Sequence, residues 1–293
     1  MTRAGIVTVV GKPNAGKSTF LNRVVGQKLS IVSPKPQSTR DRIVGIVSDA
    51  HSQIVLFDTP GLLEPRYALQ RAMRRAALEA LHDADVIVYL ADATEGPAPS
   101  LVVAARLESP PAPDVVTVYN KSDRIDHERE AELAATTPGA RFISALEGRG
   151  VDDLLRDLRS RLPESPFLYD PEDVSTQTLR FFATELVREC ALEQLEEEVP
   201  YSLACEIEEF RETGSPVYIR AVLYVERDSQ KRILIGNRGT RVREIGKCAR
   251  GKIESLVGGA VYLDLWVKVL PNWRKNSRAL QRFGYRLPEE NAP

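Results

Sequence analysis

The strongest chemical signal in the chain is Gly11-Lys12-Pro13-Asn14-Ala15-Gly16-Lys17-Ser18, which fits G-x-x-x-x-G-K-S. An apolar run at residues 6–10 precedes it and reads as a buried strand; residues 19–25, beginning with Thr19, read as the start of a helix. In that strand–loop–helix setting the glycines let backbone N–H groups turn inward around phosphate oxygens, and the helix N-terminus adds partial positive charge. Lys17 is then placed to reach the β- and γ-phosphates of a nucleotide, and Ser18 to hold Mg²⁺.

Further clusters sit at the ends of later apolar runs. Asp58-Thr59-Pro60-Gly61 closes one of them. Asp58 there suits a Mg²⁺ position reached through water, and the Gly61 N–H can meet a γ-phosphate. Asn120-Lys121-Ser122-Asp123 closes another. The Asp123 carboxylate can accept hydrogen bonds from the N1–H and 2-amino groups of guanine, whereas adenine would leave it unpaired. Asn120 can brace neighbouring loops, and the stem of Lys121 can cover the base. Ser144-Ala145-Leu146 follows Phe142-Ile143 and offers backbone N–H groups to the guanine O6.

The elements needed to hold these loops are legible too. Residues 43–47 and 53–57 read as a hairpin, 68–81 as a helix and 86–90 as a buried strand. Residues 101–107 read as a helix, 115–119 as another buried strand and 151–162 as an amphipathic closing helix. Alternating helices and short apolar strands predict an α/β fold with a doubly wound, mostly parallel sheet. Ligands in such sheets bind at the carboxyl ends of strands, where every motif named above lies.

In this order the motifs resemble those of GTPases of the translation-factor and ribosome-assembly class. The resemblance implies GTP and GDP as ligands, with Mg²⁺. It also implies that Gln37-Ser38-Thr39-Arg40-Asp41-Arg42 is the first switch. Thr39 would then close on Mg²⁺ and the γ-phosphate, so that Lys17, Thr39, Asp58 and Gly61 attend the reacting group. Ras-like GTPases place a water-orienting Gln just after the Gly of the second switch; here that position is Leu62, so a slow intrinsic rate is expected. Related assembly GTPases with Asn at the position of Asn14 bind a monovalent cation beside the phosphates. Asn14 is therefore a candidate ligand for K⁺.

With 293 residues and 43% hydrophobic content, two globular domains are expected. No run approaches the roughly 18 apolar residues of a membrane span, and the first strand begins too early for a signal peptide. A cytoplasmic protein is expected. Cys190, Cys205 and Cys248 show no metal-ligand spacing and are expected to be buried and reduced; zinc is not expected. His51, His82 and His127 are expected at the surface.

The net charge of −1 conceals an asymmetry. Residues 167–212 carry 3 Lys+Arg against 13 Asp+Glu, whereas residues 226–286 carry 15 against 5. A basic block this dense is an electrostatic footprint for nucleic acid, and the acidic block reads as a solvated face opposite it.

The expected domains are 1–165, joined by a Pro- and acid-rich linker at 166–178 to a second domain at 179–286. In the second domain, residues 178–198 read as a long helix, 202–209 and 216–225 as strands, 240–256 as a helix and 261–269 as a final strand. Ile235-Gly236-Asn237-Arg238-Gly239 falls before the 240–256 helix, inside the basic block. A G-x-x-G loop lets a nucleic-acid backbone approach closely. Arg241, Lys247 and Arg250 on the following helix, and Trp273, Arg274 and Lys275 in a basic tail, are further candidate RNA contacts.

The order α-β-β-α-α-β with this loop resembles a type II KH domain. A GTPase domain followed by such a module resembles the bacterial Era GTPases over nearly the whole chain, including the I-L-I-G-N-R-G loop and the L-W-V-K-V strand at 265–269. One departure is Gln37-Ser38-Thr39, where Gln-Thr-Thr is commoner. The resemblance implies binding near the 3′ end of 16S rRNA and a role in assembling the small (30S) ribosomal subunit, by a chain expected to be a monomer. Family members have also been linked to the membrane, so a membrane-associated signalling GTPase is the alternative. The single set of nucleotide motifs and the KH loop argue against a tandem-type ribosome GTPase and against a tRNA-modification GTPase.

Overall fold

The computed structural model describes residues 1–287. The chain forms two compact units, one of Met1–Pro65 and Met73–Thr176, the other of Arg66–Ala72 with the chain from Gln177 on.

The first unit contains β1 (Arg3–Val10), α1 (Lys17–Val25), β2 (Ile43–Ser48) and β3 (Ser52–Asp58), followed by α2 (Ala68–His82) from Met73 on and β4 (Val86–Asp92). It continues through α3 (Leu101–Ala105), β5 (Asp114–Asn120), α4 (His127–Thr136), β6 (Arg141–Phe142) and α5 (Val151–Arg161). The strands form one sheet in the order β2-β3-β1-β4-β5-β6. Only β2 runs antiparallel to its neighbour; the remaining pairings are parallel. β1 lies at the point where the order reverses, with Val7, Val9 and Val10 fully buried. All seven residues of β3 are buried, as expected for a strand covered on both faces. The doubly wound, mostly parallel sheet is as the sequence predicts.

α4 has no counterpart in the sequence reading. It is capped by Asp126, whose side chain accepts from the Arg129 N–H, and Leu133 is its one buried residue. A helix with a single anchor shows no apolar period. The stretch read as a linker is held to the first unit as far as Ser175. The buried Gln53 amide accepts from the N–H groups of Leu168 and Tyr169 and donates to the Tyr169 carbonyl. The Ile46 N–H donates to the Val174 carbonyl at 2.9 Å, and Ser175 Oγ donates to the Val44 carbonyl at 2.6 Å. These bonds occupy the open edge of β2, a position where an uncovered strand invites wrong pairing.

The second unit runs through α6 (Leu179–Gln194), α7 (Val199–Ser202), β7 (Ala204–Arg211), β8 (Val217–Val225), α8 (Asp228–Ile235), α9 (Thr240–Val257), β9 (Val261–Val269) and α10 (Ser277–Arg282). Its sheet has the order β7-β8-β9, antiparallel then parallel. Val187, Leu223, Leu234, Ile245 and Ile253 meet in its core. The expected helix at 178–198 stops at Gln194, because Leu195 turns extended ahead of Glu196-Glu197-Glu198. Pro200 then sits in the first turn of α7, where its missing N–H costs nothing, and the strand begins at Ala204 rather than 202. A bulge between Ile207 and Glu209 interrupts the alternation in β7.

The cysteines need correction. Cys190 and Cys248 are joined in a disulfide across α6 and α9, with Cα atoms 6.0 Å apart. A separation of 58 residues gives no hint of that proximity. Cys205 remains a thiol, half-buried, and burial pushes it well above the usual range. The three histidines are exposed, as expected.

Candidate nucleotide cleft and RNA-binding loop

The motif loops of the first unit converge on a cleft of about 390 Å³, lined among others by Lys17, Thr39, Gly61, Asn120, Asp123 and Leu146. Gly16 caps α1 with φ 98° and no side chain over the first turn, which leaves the helix N–H donors directed at the cleft. A Cβ at Gly16 would lie 2.1 Å from Asn120 Nδ2, so only glycine lets the two loops pass. Asn120 Nδ2 donates to the Ala15 carbonyl at 2.8 Å, and its Oδ1 accepts from the Ala145 N–H at 2.9 Å. One amide thus ties the phosphate loop to the Ser144-Ala145-Leu146 loop, the bracing read from the sequence.

Lys17 is 6% exposed, with Nζ resting on the carbonyls of Gly11 and Lys12. Burial pulls its pKa down to about 8, against the pull of Asp58 in the other direction. A cation held at such a cost is suited to meeting phosphate charge. Lys12, by contrast, turns outward to pair with Glu95.

Asp58 is fully buried, and burial raises its pKa against the opposing effects of Lys17 and three hydroxyls. Its Oδ2 accepts from Ser18 Oγ at 2.7 Å, Ser30 Oγ at 2.9 Å and Thr39 Oγ1 at 3.5 Å. Ser18 and Thr39 also touch each other at 2.9 Å. Asp58 Oδ1 is buried and has no hydrogen-bond partner among the described residues. Hydroxyls and a carboxylate with an orphaned oxygen form an all-oxygen donor set, the kind that suits Mg²⁺. Ser30 and its anchor Asn22 were not read from the sequence; neither belongs to a motif with a spacing rule.

At the base end, the Asp123 side chain is 13% exposed, and its Oδ1 is buried without a partner. Lys121 Nζ pairs with Asp92 at the end of β4. Burial presses the Asp92 carboxyl upward, but Lys121 and Thr94 outweigh it and hold the group below the usual range. Ser122 is buried and accepts from Arg149, and the N–H of Ser144 is bonded to the Arg149 carbonyl. Leu146 stands 62% exposed at the rim. Arg23 on α1 donates to the carbonyls of Ala145 and Leu146, a support that no motif announces.

Thr59 donates to the Val9 carbonyl, and the Leu62 N–H donates to the Gly11 carbonyl at 2.9 Å. The Leu62 side chain packs into the core beside Val10, Ala77 and Tyr89. Asn14, in the left-handed region at φ 64°, donates from Nδ2 to the Pro34 carbonyl, three residues before the first switch.

In the second unit the G-N-R-G loop joins α8 to α9. Gly236 adopts φ 74° and ψ 176°, and a Cβ there would meet the Arg241 backbone at 2.9 Å. Asn237 and Arg238 are exposed at the tip, with Ile235 half-buried beside them. Arg241 donates back to the Ile233 carbonyl and Arg243 to the Arg238 carbonyl, bracing the loop. Gly239 caps α9 without a side chain, so this helix also presents bare N–H donors. Lys247 and Arg250 line an adjoining groove of about 620 Å³ floored by Val242, Leu263 and Leu265.

Two expectations fail here. Trp273 is fully buried, donates from Nε1 to the Ser202 carbonyl at 2.7 Å and meets Phe283 edge-on; it is a core residue. Arg274 is paired with Glu226, while Lys275 is exposed. Nor is the acidic block only a solvated face. Lys252 bridges Glu189 and Glu193, Lys268 pairs with Glu208, and Arg282 with Glu206. Part of the basic block is therefore neutralised within the unit. Lys231, Arg232, Arg238, Arg241, Arg243 and Lys247 form no salt bridge among the described residues, and they cluster around the G-N-R-G loop.

A 50S ribosome-binding GTPase family model matches residues 6–121, and a KH domain model matches residues 198–274. The chain is 41% identical to GTPase Era of Ectopseudomonas mendocina, covering 97% of this chain and 98% of that protein. It is also 41% identical to GTPase Era of Synechocystis, over 98% and 94%. Among solved structures, Era in complex with MgGDPNP and nucleotides 1506–1542 of 16S ribosomal RNA superimposes with a TM-score of 0.91 at 38% identity, over 98% of this chain and all of that one. A variant of Aquifex aeolicus Era bound to GDP and AlF₄⁻ matches equally well. Matched in both halves and along nearly its entire length, the chain belongs to the Era family of GTPases.

Proposed function

We propose that this GTPase is a nucleotide-dependent rRNA binder that assists assembly of the small ribosomal subunit in the cytoplasm, acting as a monomer. The observation that carries the reading is the presence in one chain of two prepared sites. One is a cleft with the orphaned oxygens of Asp58 and Asp123; the other is a G-N-R-G loop ringed by cations without acidic partners. The first belongs to the domain at 1–165 and the second to the domain at 179–286. The relative crystallised with MgGDPNP and nucleotides 1506–1542 of 16S rRNA supports the same pairing of ligands.

Phosphoryl transfer asks for positioning and charge neutralisation more than covalent chemistry. In this reading the loop from Gly11 to Thr19 cradles the phosphates, Lys17 contacts the β- and γ-phosphates, and the Gly61 N–H meets the γ-phosphate, with Thr59, Pro60 and Leu62 shaping that turn. Ser18 and Thr39 would hold Mg²⁺, with Asp58 acting through water; the ion, when bound, neutralises charge on the phosphate oxygens. Asn120, Lys121, Ser122 and Asp123 hold guanine together with Ser144, Ala145 and Leu146. Because Leu62 is committed to the core, the attacking water must be oriented by other groups, and intrinsic hydrolysis is slow. Asn14 is the candidate K⁺ ligand, although its amide nitrogen is engaged by Pro34. Faster turnover in KCl than in matched NaCl supports that role; equal rates remove it.

At the second site Ile235, Gly236, Asn237, Arg238 and Gly239 receive the RNA backbone, with Arg241, Lys247, Arg250 and Lys275 supplying charge. The alternative of a membrane-associated signalling GTPase is not favoured: the crystallised relative is in complex with a segment of 16S rRNA, and among the described residues no helix is long and apolar enough to cross a membrane. Crosslinking in cells, with the bound RNA sequenced, tests the assignment. A peak at the 3′ end of 16S rRNA is expected, and sites dispersed over messenger RNA would overturn it.

A further inference from the structure

Ser30 stands outside every nucleotide motif, yet it is 1% exposed and its hydroxyl donates to Asp58 Oδ2 at 2.9 Å. Its backbone is fixed on both sides by one residue. Asn22 Oδ1 accepts from the N–H groups of Leu29 and Ser30, each at 2.9 Å, and Asn22 Nδ2 donates to the Ser30 carbonyl at 2.9 Å. Asn22 lies on α1 one turn after Ser18, so the helix that opens at the phosphate loop also anchors Ser30. The chain Asn22–Ser30–Asp58 therefore runs beside the proposed metal position without entering it.

The other hydroxyls on Asp58 Oδ2 belong to Ser18 and Thr39. In the reading given above both oxygens would also offer a lone pair to Mg²⁺, so the bonds they donate to Asp58 depend on where the ion draws them. Ser30 has no such duty. Its bond does not depend on the ion and can keep the carboxylate from swinging in either state. Partners of this kind around metal ligands typically contribute about 10–100-fold to metal affinity.

We propose that Ser30, anchored by Asn22, is a positioning residue that orients Asp58 for Mg²⁺. The inference rests on the assignment of Ser18, Thr39 and Asp58 to that ion. Release of fluorescently labelled GDPNP, followed as a function of free Mg²⁺, tests it without recourse to turnover. Ser30→Ala is expected to raise the Mg²⁺ concentration at half-effect about tenfold, while release in EDTA stays at the parental rate. Ser30→Cys, similar in size but a weak donor, should shift it in the same direction and covers the case in which the alanine variant does not fold. Asn22→Ala should give a smaller shift, and Asn22→Ala with Ser30→Ala should add little to Ser30→Ala alone. An unchanged Mg²⁺ midpoint, or equal acceleration with and without the metal, would overturn the proposal. Ser18→Ala separates the two layers: if it too leaves the Mg²⁺ dependence untouched, the metal assignment itself fails.

Discussion

At the nucleotide cleft the receiving groups are buried before any ligand arrives: Lys17 is 6% exposed, and Asp58 and Asp123 each keep a buried oxygen without a partner. At Gly236–Gly239 the tip residues Asn237 and Arg238 are exposed, and what is prepared is backbone shape and cations that form no salt bridge among the described residues. Buried unsatisfied groups discriminate strongly, because a wrong ligand leaves them unpaired in a low-dielectric site. An exposed basic loop gains affinity from many phosphates and loses it to salt. In the proposed function, selectivity for guanine thus resides in a few atoms, whereas the grip on RNA is spread over a surface.

The contrast is broken most severely at Asp123. Asp123→Asn removes charge-assisted bonds to guanine, each worth about 1.5–3 kcal/mol, so GTP affinity should fall roughly 10²–10⁴-fold. Xanthosine triphosphate, with a carbonyl at C2, should bind the variant better than GTP, and RNA affinity in the absence of nucleotide should be untouched; calorimetric titration with both nucleotides checks this. Trp273→Ala should destabilise the second unit by about 3–5 kcal/mol in denaturant unfolding. RNA contact at the indole would instead have predicted weaker binding with unchanged stability. Gly236→Asp combined with Gly239→Asp puts side chains and negative charge where the nucleic-acid backbone must approach, and should weaken RNA binding by at least about 10²-fold while GTP binding persists. Loss of both activities would indicate misfolding.

A finer test compares two lysines of α9. Lys247 is unpaired by acid among the described residues, whereas Lys252 neutralises the buried Glu189. Lys247→Ala should lower the slope of log affinity against log salt by about 0.7 and leave stability alone. Lys252→Ala should leave the slope alone and cost about 1–3 kcal/mol of stability, because the buried Glu189 loses its bond to the Lys252 ammonium.

The nucleotide motifs were legible because phosphate, Mg²⁺ and guanine demand particular residue types at the ends of apolar strands. The fold class followed from the same alternation of strands and helices. Ser30 was not legible: a serine in a polar loop carries no spacing rule, and only the fold brings it to Asp58 across 28 residues. Trp273 misled because an aromatic among basic residues suits stacking on a base and burial alike. The charge blocks misled in the same way, since composition records how many charges a segment holds and not which ones meet across a sheet. The disulfide and the docking of residues 168–175 on β2 and β3 are likewise long-range results of packing.

The central claim is that the nucleotide cleft governs the grip of the G-N-R-G loop on RNA. Affinity for a labelled 3′-terminal segment of 16S rRNA, measured at one salt concentration with saturating MgGDPNP and then MgGDP, tests it directly. The account predicts tighter binding with MgGDPNP by at least about fivefold, the lower end of typical coupling between sites. Equal affinities in the two states would contradict it.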